Sequence, residues 1–276
     1  MSIRQAFTGD PAAMPGWRVA LNRAGGVVLG FLALLILLLV AWRLWVMPVY
    51  GGLPNVAHAG GAIGSTTYIN GLAALDSSYA KGFRHMELDF ERTSDGVLVC
   101  GHDWNAFNGK APDLAGFLAA RATTKFPPCT IEELVGWFRN HKEAQLISDA
   151  KAEFAPIDTA LRAALGDQLM PEVYDTDDVS QLGAGGVRPF IPAVYKLHGL
   201  PARFGFLAAL HDQRAHVSAV AMNQVDAFFG LALWSKAWLG APVYVYTENS
   251  CDAAPALHAL GVDAVFTDDL MVDSCQ

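Results

Sequence analysis

Two hydrophobic periods alternate along most of the chain. Short apolar runs lie at 55–58, 85–90, 145–148, 169–174, 190–197, 217–222, 242–247 and 263–267. Between them, at 70–81, 131–140, 157–165, 204–213, 225–239 and 253–260, apolar positions recur with helical spacing. Strand–helix alternation of this kind implies parallel strands joined by crossover helices. Eight such runs predict an α/β fold, a (β/α)8 TIM barrel, rather than an open sheet. A ninth run at 97–102 follows Ser94-Asp95-Gly96, a turn of the type that joins antiparallel strands. It reads as the return arm of a hairpin on the second strand.

The pattern before residue 55 is different. From 25 to 42 no residue is charged. At ~1.5 Å rise per residue this run spans about 27 Å, enough for the hydrocarbon core of a bilayer. Trp17 before it, and Trp42, Trp45 and Tyr50 after it, are placed like interfacial anchors. A cleaved signal peptide fits less well. The apolar run is long, and cutting at the first A-x-A pattern, Ala57-His58-Ala59, would remove His58. The chain is therefore divided into a tail (1–23), one transmembrane anchor helix (24–46), a linker (47–54) and a barrel (55–276). Arg4, Arg18 and Arg23 precede the span, and only Arg43 follows it before Lys81. The positive-inside bias puts the N-terminus in the cytoplasm and the barrel outside, periplasmic or extracellular.

Composition adds three constraints. The 276 residues are 53% hydrophobic and 17% charged, with a formal charge of −8, so no basic face is offered to nucleic acid. Four cysteines, Cys100, Cys129, Cys251 and Cys275, fit an exported domain that forms disulfides. Pairing 100 with 129 and 251 with 275 would be local, but four cysteines allow three connectivities. No C-x-x-C occurs, which argues against a cysteine zinc site. The sequence leaves the oligomeric state open.

Polar residues at the strand ends carry the chemistry. Glu87 and Asp89 are two apart on one strand and so project to the same face. They lie near the end of the run where barrel active sites form, and buried acids are costly unless paired or metal-bound. Asp149 ends a neighbouring run, with Lys151 on the same face. The three acids make a hard-oxygen set for one divalent cation, Mg²⁺ or Ca²⁺, and Lys151 would meet a phosphate oxygen. His58 and His102 close two further runs. Imidazoles titrate near neutral pH, so one can take a proton while the other gives one. Asp103 adjoins His102. His85 shares the parity of Glu87 one step deeper and reads as a packed, hydrogen-bonded core residue.

The ordered set His58, Glu87-Leu-Asp89, Thr93-Ser-Asp95-Gly96 and His102-Asp103 resembles the signature of the glycerophosphodiester phosphodiesterase family, within the phospholipase C-like phosphodiesterase barrels. The stretches at 128–134, 246–249 and 260–268 are similar to its later elements. The resemblance spans about 55–270. It implies a metal-dependent phosphoric diester hydrolase acting on a small-molecule or lipid phosphodiester. Glu87, Asp89 and Asp149 would hold the cation, His58 and His102 would be the acid–base pair, and Lys151 would bind phosphate. Three positions depart from the family pattern. Ala59 stands where an arginine usually contacts phosphate, Ile69-Asn70 where a Glu-Asn pair opens the first helix, and Asp149 where a glutamate is usual. Lys196 is placed to compensate for the missing arginine, and Asn70 keeps a substrate-contacting position. The departures also define an alternative: a catalytically inactive barrel that binds a lipid headgroup or envelope polymer.

Overall fold

A computed structural model describes residues 16–46, 55–182 and 189–270. Contacts divide the chain into two units, Met1–Met47 and Pro48–Gln276. In the first, one helix runs Gly16–Val46, 31 residues. Its described side chains, at 25–41, are all exposed. Among the described residues no helix is long and apolar enough to cross a membrane. The expected linker at 47–54 lies outside the described residues.

The second unit is a barrel of eight parallel strands with one antiparallel arm. The strands are β1 (Val56–Ala57), β2 (His85–Arg92), β3 (Leu98–Cys100), β4 (Gln145–Ala150), β5 (Leu169–Val173), β6 (Ile191–Pro192), β7 (Val220–Met222), β8 (Val243–Val245) and β9 (Ala264–Thr267). They pair in the order β6-β5-β4-β2-β1-β9-β8-β7, so the last strand lies against the first. Isolated parallel bridges, Phe190 to Val217 and Ala193 to Ala221, draw the two ends together into a nearly closed ring. Arm β3 pairs antiparallel with the far end of β2, Phe90 opposite Cys100.

Side-chain parity sorts the barrel into two layers. Outward residues such as Met86, Leu88, Leu146, Val220 and Val265 join the larger core beneath the helices. Inward residues Val56, Ile147, Ile191, Ala193, Ala221, Tyr244 and Phe266 fill the lumen. Alternation along each strand makes both layers from one sequence pattern. Above the apolar lumen layer, the same inward parity delivers Glu87, Asp89 and Asp149.

Helix Ile131–Asn140 shows how the surrounding layer is specified. Thr130 and Glu133 form a reciprocal capping box at its start, and Leu134, Val135, Trp137 and Phe138 turn inward. A disulfide joins Cys100 to Cys129, with Cα atoms 5.1 Å apart, tying the end of β3 to the residue before this cap. Cys251 is also disulfide-bonded; Cys275 lies outside the described residues.

Four expectations need correction. The helix expected at 225–239 is two, Gln224–Phe228 and Leu231–Leu239, because Gly230 between them adopts φ +86°. The run at 190–197 is a strand only at Ile191–Pro192; Val194–Lys196 is a 3-10 turn, so Lys196 is not on a strand. Helices Leu114–Arg121 and Thr176–Gln181 escaped the periodicity, since each buries a single side chain, Phe117 and Val179. His85 is packed, but its Nδ1 is buried with no hydrogen-bond partner among the described residues, and burial lowers its pKa.

Candidate active site

The acids converge because of strand register. Asp89 and Asp149 are direct partners on the paired strands β2 and β4, and Glu87 lies two residues before Asp89 on the same inward face. Ligand oxygens of the three lie within 4.8 Å of one another, and all three residues are buried. Each is held by a different neighbour. The Ala59 backbone N–H donates to Glu87 Oε2 at 2.7 Å. The Asn70 side chain donates to Asp89 Oδ2 at 2.8 Å and accepts from the Asp89 backbone N–H at 2.9 Å. Asp149 Oδ1 accepts from the Tyr174 hydroxyl and, at 3.1 Å, from Lys196 Nζ. Its Oδ2 accepts from Tyr195 at 3.0 Å and from Lys151.

Lys151 bridges the acids, its Nζ reaching Asp89 Oδ1 at 2.9 Å as well as Asp149. Its own burial, which lowers its pKa, is outweighed by the charges of Asp149 and Asp89, and the ammonium is held above its ordinary range. Even so, carboxyls outnumber the ammonium groups. Glu172, on β5 with inward parity, is fully buried and its Oε1 has no hydrogen-bond partner among the described residues. Burial first, then the charges of Asp149 and Glu87, push the Glu172 carboxyl well above its usual range. Burial first, then Asp89 and Asp149, do the same to Glu87. Four clustered carboxyls against two ammonium groups in a buried lumen fit a hard divalent cation with oxygen ligands. Asp149 already uses the roughly four acceptor positions of a carboxylate, so it can ligate a cation only by giving up a donor. Lys151, on a flexible stem, is the exchangeable one.

The two histidines reach the same cavity from different elements. Strand β1 pairs with β9, Ala57 opposite Thr267, which sets the next residues, His58 and Asp268, side by side. His58 Nδ1 lies 3.0 Å from Asp268 Oδ1, a contact that orients the ring and leaves the other nitrogen without a hydrogen bond among the described residues. Burial raises the Asp268 pKa, but hydrogen bonds from His58 and Asn249 outweigh it and hold the carboxyl below its usual range. His102 follows β3, with Nδ1 3.2 Å from Asp103, and its side chain is 42% exposed. Tyr68 stands between the rings, edge-on to His58 at 4.7 Å and to His102 at 5.1 Å. A cavity of about 160 Å³ is lined by His58, Tyr68, His102, the three acids and Lys151.

The structure thus brings His58, His102, Glu87, Asp89, Asp149 and Lys151 to one cavity. Lys196 does not line that cavity but reaches its edge through Asp149, to which its Nζ bonds, and lies 3.5 Å from the Tyr174 ring centroid. Asn70 is expected at the substrate, and the structure places it behind Asp89. It is 1% exposed and both ends of its amide are spent on Asp89. Asp268, Glu172, Tyr174, Tyr195 and Tyr68 were missed as site residues. Glu172 and Tyr174 repeat the two-apart inward pattern that revealed Glu87 and Asp89, and Asp268 ends the last strand run. Tyr68 sits in a loop with no periodic signal.

No family model matches the sequence, and no curated relative does. Solved structures match in fold. A putative glycerophosphodiester phosphodiesterase from Galdieria sulphuraria aligns with TM-score 0.61 at 16% identity, covering 78% of this chain and 94% of that one. A putative glycerophosphoryl diester phosphodiesterase from Agrobacterium tumefaciens aligns with TM-score 0.59 at 18% identity, covering 79% and 94%. An Oleispira antarctica phosphodiesterase, in complex with the product sn-glycerol-3-phosphate, aligns with TM-score 0.55 at 19% identity, covering 78% and 93%. At these identities the likeness is one of fold.

Proposed function

We propose that this chain is a metal-dependent phosphoric diester hydrolase of the glycerophosphodiester phosphodiesterase type, acting on a glycerophosphodiester or phospholipid-type substrate. One observation carries the reading: two imidazoles and three buried carboxylates surround a single cavity on a fold shared with such enzymes. Glu87, Asp89 and Asp149 would hold the cation, Mg²⁺ or Ca²⁺. When bound, it would neutralise phosphate charge and lower the pKa of the attacking oxygen. Lys196, and Lys151 once displaced from the acids, would face the phosphate oxygens in place of the arginine missing at Ala59. One histidine takes the proton of the attacking hydroxyl, and the other protonates the departing oxygen. Asp268 and Asp103 fix the two rings for those transfers.

Hydrolysis of an aryl phosphodiester by the full chain, with and without EDTA, tests this. Turnover that EDTA abolishes, and that His58→Ala or His102→Ala lowers by at least ~100-fold, is the expected result. Undiminished turnover in both variants would refute it. The second reading, an inactive headgroup-binding barrel, is favoured by the Lys151 ammonium already bridging Asp89 and Asp149. That reading predicts diester binding without product.

Membrane attachment by the N-terminal helix is part of the proposal. Its support is the uncharged run from 25 to 42 and the exposed apolar side chains from Val27 to Val40. The arginine bias of the sequence would place the barrel on the extracytoplasmic side. Release of the protein into the soluble fraction by alkaline carbonate would contradict the attachment.

A further inference from the structure

One short segment supports two halves of the proposed site. Residues 127–130 run beside β3, through an antiparallel bridge between Val99 and Thr130 and a 3.0 Å bond from the Cys100 N–H to Cys129 O. The same segment also meets the turn that carries Asn70. The Cys129 N–H donates to Asn70 O at 2.7 Å. A Cβ added to Gly71 would run into Pro127 O, so the two backbones are in close contact. Asn70 in turn braces Asp89 through both ends of its amide. From the end of β3, the Gly101 N–H donates to Asp89 O at 2.9 Å, and the next residue is His102. Asp89 and His102 therefore share one mount.

The Cys100–Cys129 disulfide is the covalent tie in that mount. Both cysteines are fully buried, so the bridge lies inside the packing rather than on its surface. Along the chain they are separated by 29 positions, an excursion that includes His102 and helix Leu114–Arg121. Arg121 Nε also donates to Pro128 O at 2.6 Å, but Arg121 belongs to the excursion and not to β3. With the bridge open, noncovalent contacts alone hold 127–130 against β3. Slack there reaches Asp89 by two routes, Asn70 and Gly101.

We propose that the Cys100–Cys129 disulfide is a positioning element of the cation site, so that bridge and cation favour each other. Closing the bridge raises affinity for the divalent cation, and the bound cation makes the bridge harder to reduce. Linkage requires the two effects to be equal, because they are opposite edges of one thermodynamic cycle. The inference rests on the metal-dependent reading above and adds a redox dependence to it. A bridge that only strengthened the fold would behave differently: by stabilising the folded state, the cation would protect every disulfide of the barrel alike.

The full chain in detergent, equilibrated with graded ratios of reduced to oxidised dithiothreitol with and without saturating Mg²⁺, tests this. Each reduction moves two electrons and two protons from one dithiol to the protein; the S–S bond breaks, two protein thiols form, and the reagent closes to a cyclic disulfide. Alkylation and peptide mass spectrometry follow Cys100–Cys129 and the disulfide at Cys251 separately. Mg²⁺ is expected to raise the dithiol ratio that half-reduces Cys100–Cys129 at least ~5-fold, and to leave that of the Cys251 disulfide within ~2-fold. Calorimetry should show Mg²⁺ binding weakened by the same factor in the variant Cys100→Ala with Cys129→Ala. An unmoved Cys100–Cys129 midpoint, or an equal shift at both bridges, overturns the proposal. Equal Mg²⁺ affinity in wild type and variant also removes this inference alone. Wild-type protein that binds no Mg²⁺ removes the metal-dependent reading and this inference with it.

Discussion

Removing the Asn70 side chain should damage the fold and the metal site together, by an amount that can be worked from its bonds. Asn70 donates to Asp89 Oδ2 at 2.8 Å and accepts from the Asp89 N–H at 2.9 Å, both buried. Loss of the charge-assisted bond costs about 1.5–3 kcal/mol, and stranding a buried N–H about 1–3 kcal/mol. The residue also holds φ +49°, pinned by backbone bonds from its N–H to Ala59 O and from the Cys129 N–H to its own carbonyl. Alanine tolerates that region less well than asparagine, by roughly 1 kcal/mol. Because the terms share one partner and do not add fully, Asn70→Ala should cost about 3–5 kcal/mol. At ~2–4 °C per kcal/mol for a domain of this size, Tm should fall by roughly 6–20 °C. Asn70→Gly relieves the backbone and should melt a few degrees above the alanine variant. Since Asp89 loses its brace, cation affinity should drop about 10–100-fold in both. Thermal melts and calorimetric cation titrations of the three proteins supply the comparison. A loss below ~1 kcal/mol, with unchanged cation affinity, would refute the bracing role.

The His58–Asp268 pair makes stability depend on pH with a definite sign. The Asp268 pKa is depressed in the fold, so its contribution is complete above the ordinary aspartate range and is lost as pH falls through the folded value. Asp268→Asn should therefore flatten the acid side of a Tm-against-pH curve, and a variant curve parallel to wild type would contradict this. The Cys100–Cys129 bridge closes a loop with a sequence separation of 29. Loop entropy alone gives about 3.5 kcal/mol, so Cys100→Ser with Cys129→Ser should lower denaturant stability by roughly that amount. Stability within ~0.5 kcal/mol of wild type would show that the bridge adds nothing. Lys151→Met should raise cation affinity without restoring turnover, because the ammonium competes with the ion for Asp89 and Asp149 yet is needed at the phosphate. Weaker cation binding in this variant would remove Lys151 from the account.

Much of this was legible because parallel barrels write their strands plainly. Each strand run is apolar on both faces, and a two-residue period places Glu87 and Asp89 on one side whatever the helices do. Register, by contrast, is a long-range property. Nothing local to residue 149 reveals that it pairs with residue 89, and only the closed ring sets Asp268 beside His58. Helix Thr176–Gln181 was invisible to periodicity because its stability lies in its start, where Asp175 accepts from the N–H groups of Asp177 and Asp178. Asn70 is placed in the site by its likeness to the second residue of a Glu-Asn pair, which does not tell what its amide touches. Its burial behind Asp89 is decided by the packing of the loop that carries it. Lys196 reached the site from a turn rather than a strand, where spacing rules have no purchase.

The proposed hydrolase stands or falls on Glu87, Asp89 and Asp149 sharing one divalent cation between the two histidines. Anomalous diffraction from crystals of the protein soaked in Mn²⁺ tests it most directly. One strong peak bound by oxygens of those three residues, with Lys151 turned away from Asp149, is the expected result. A lumen without a peak, in which Lys151 still bridges Asp89 and Asp149, would contradict it.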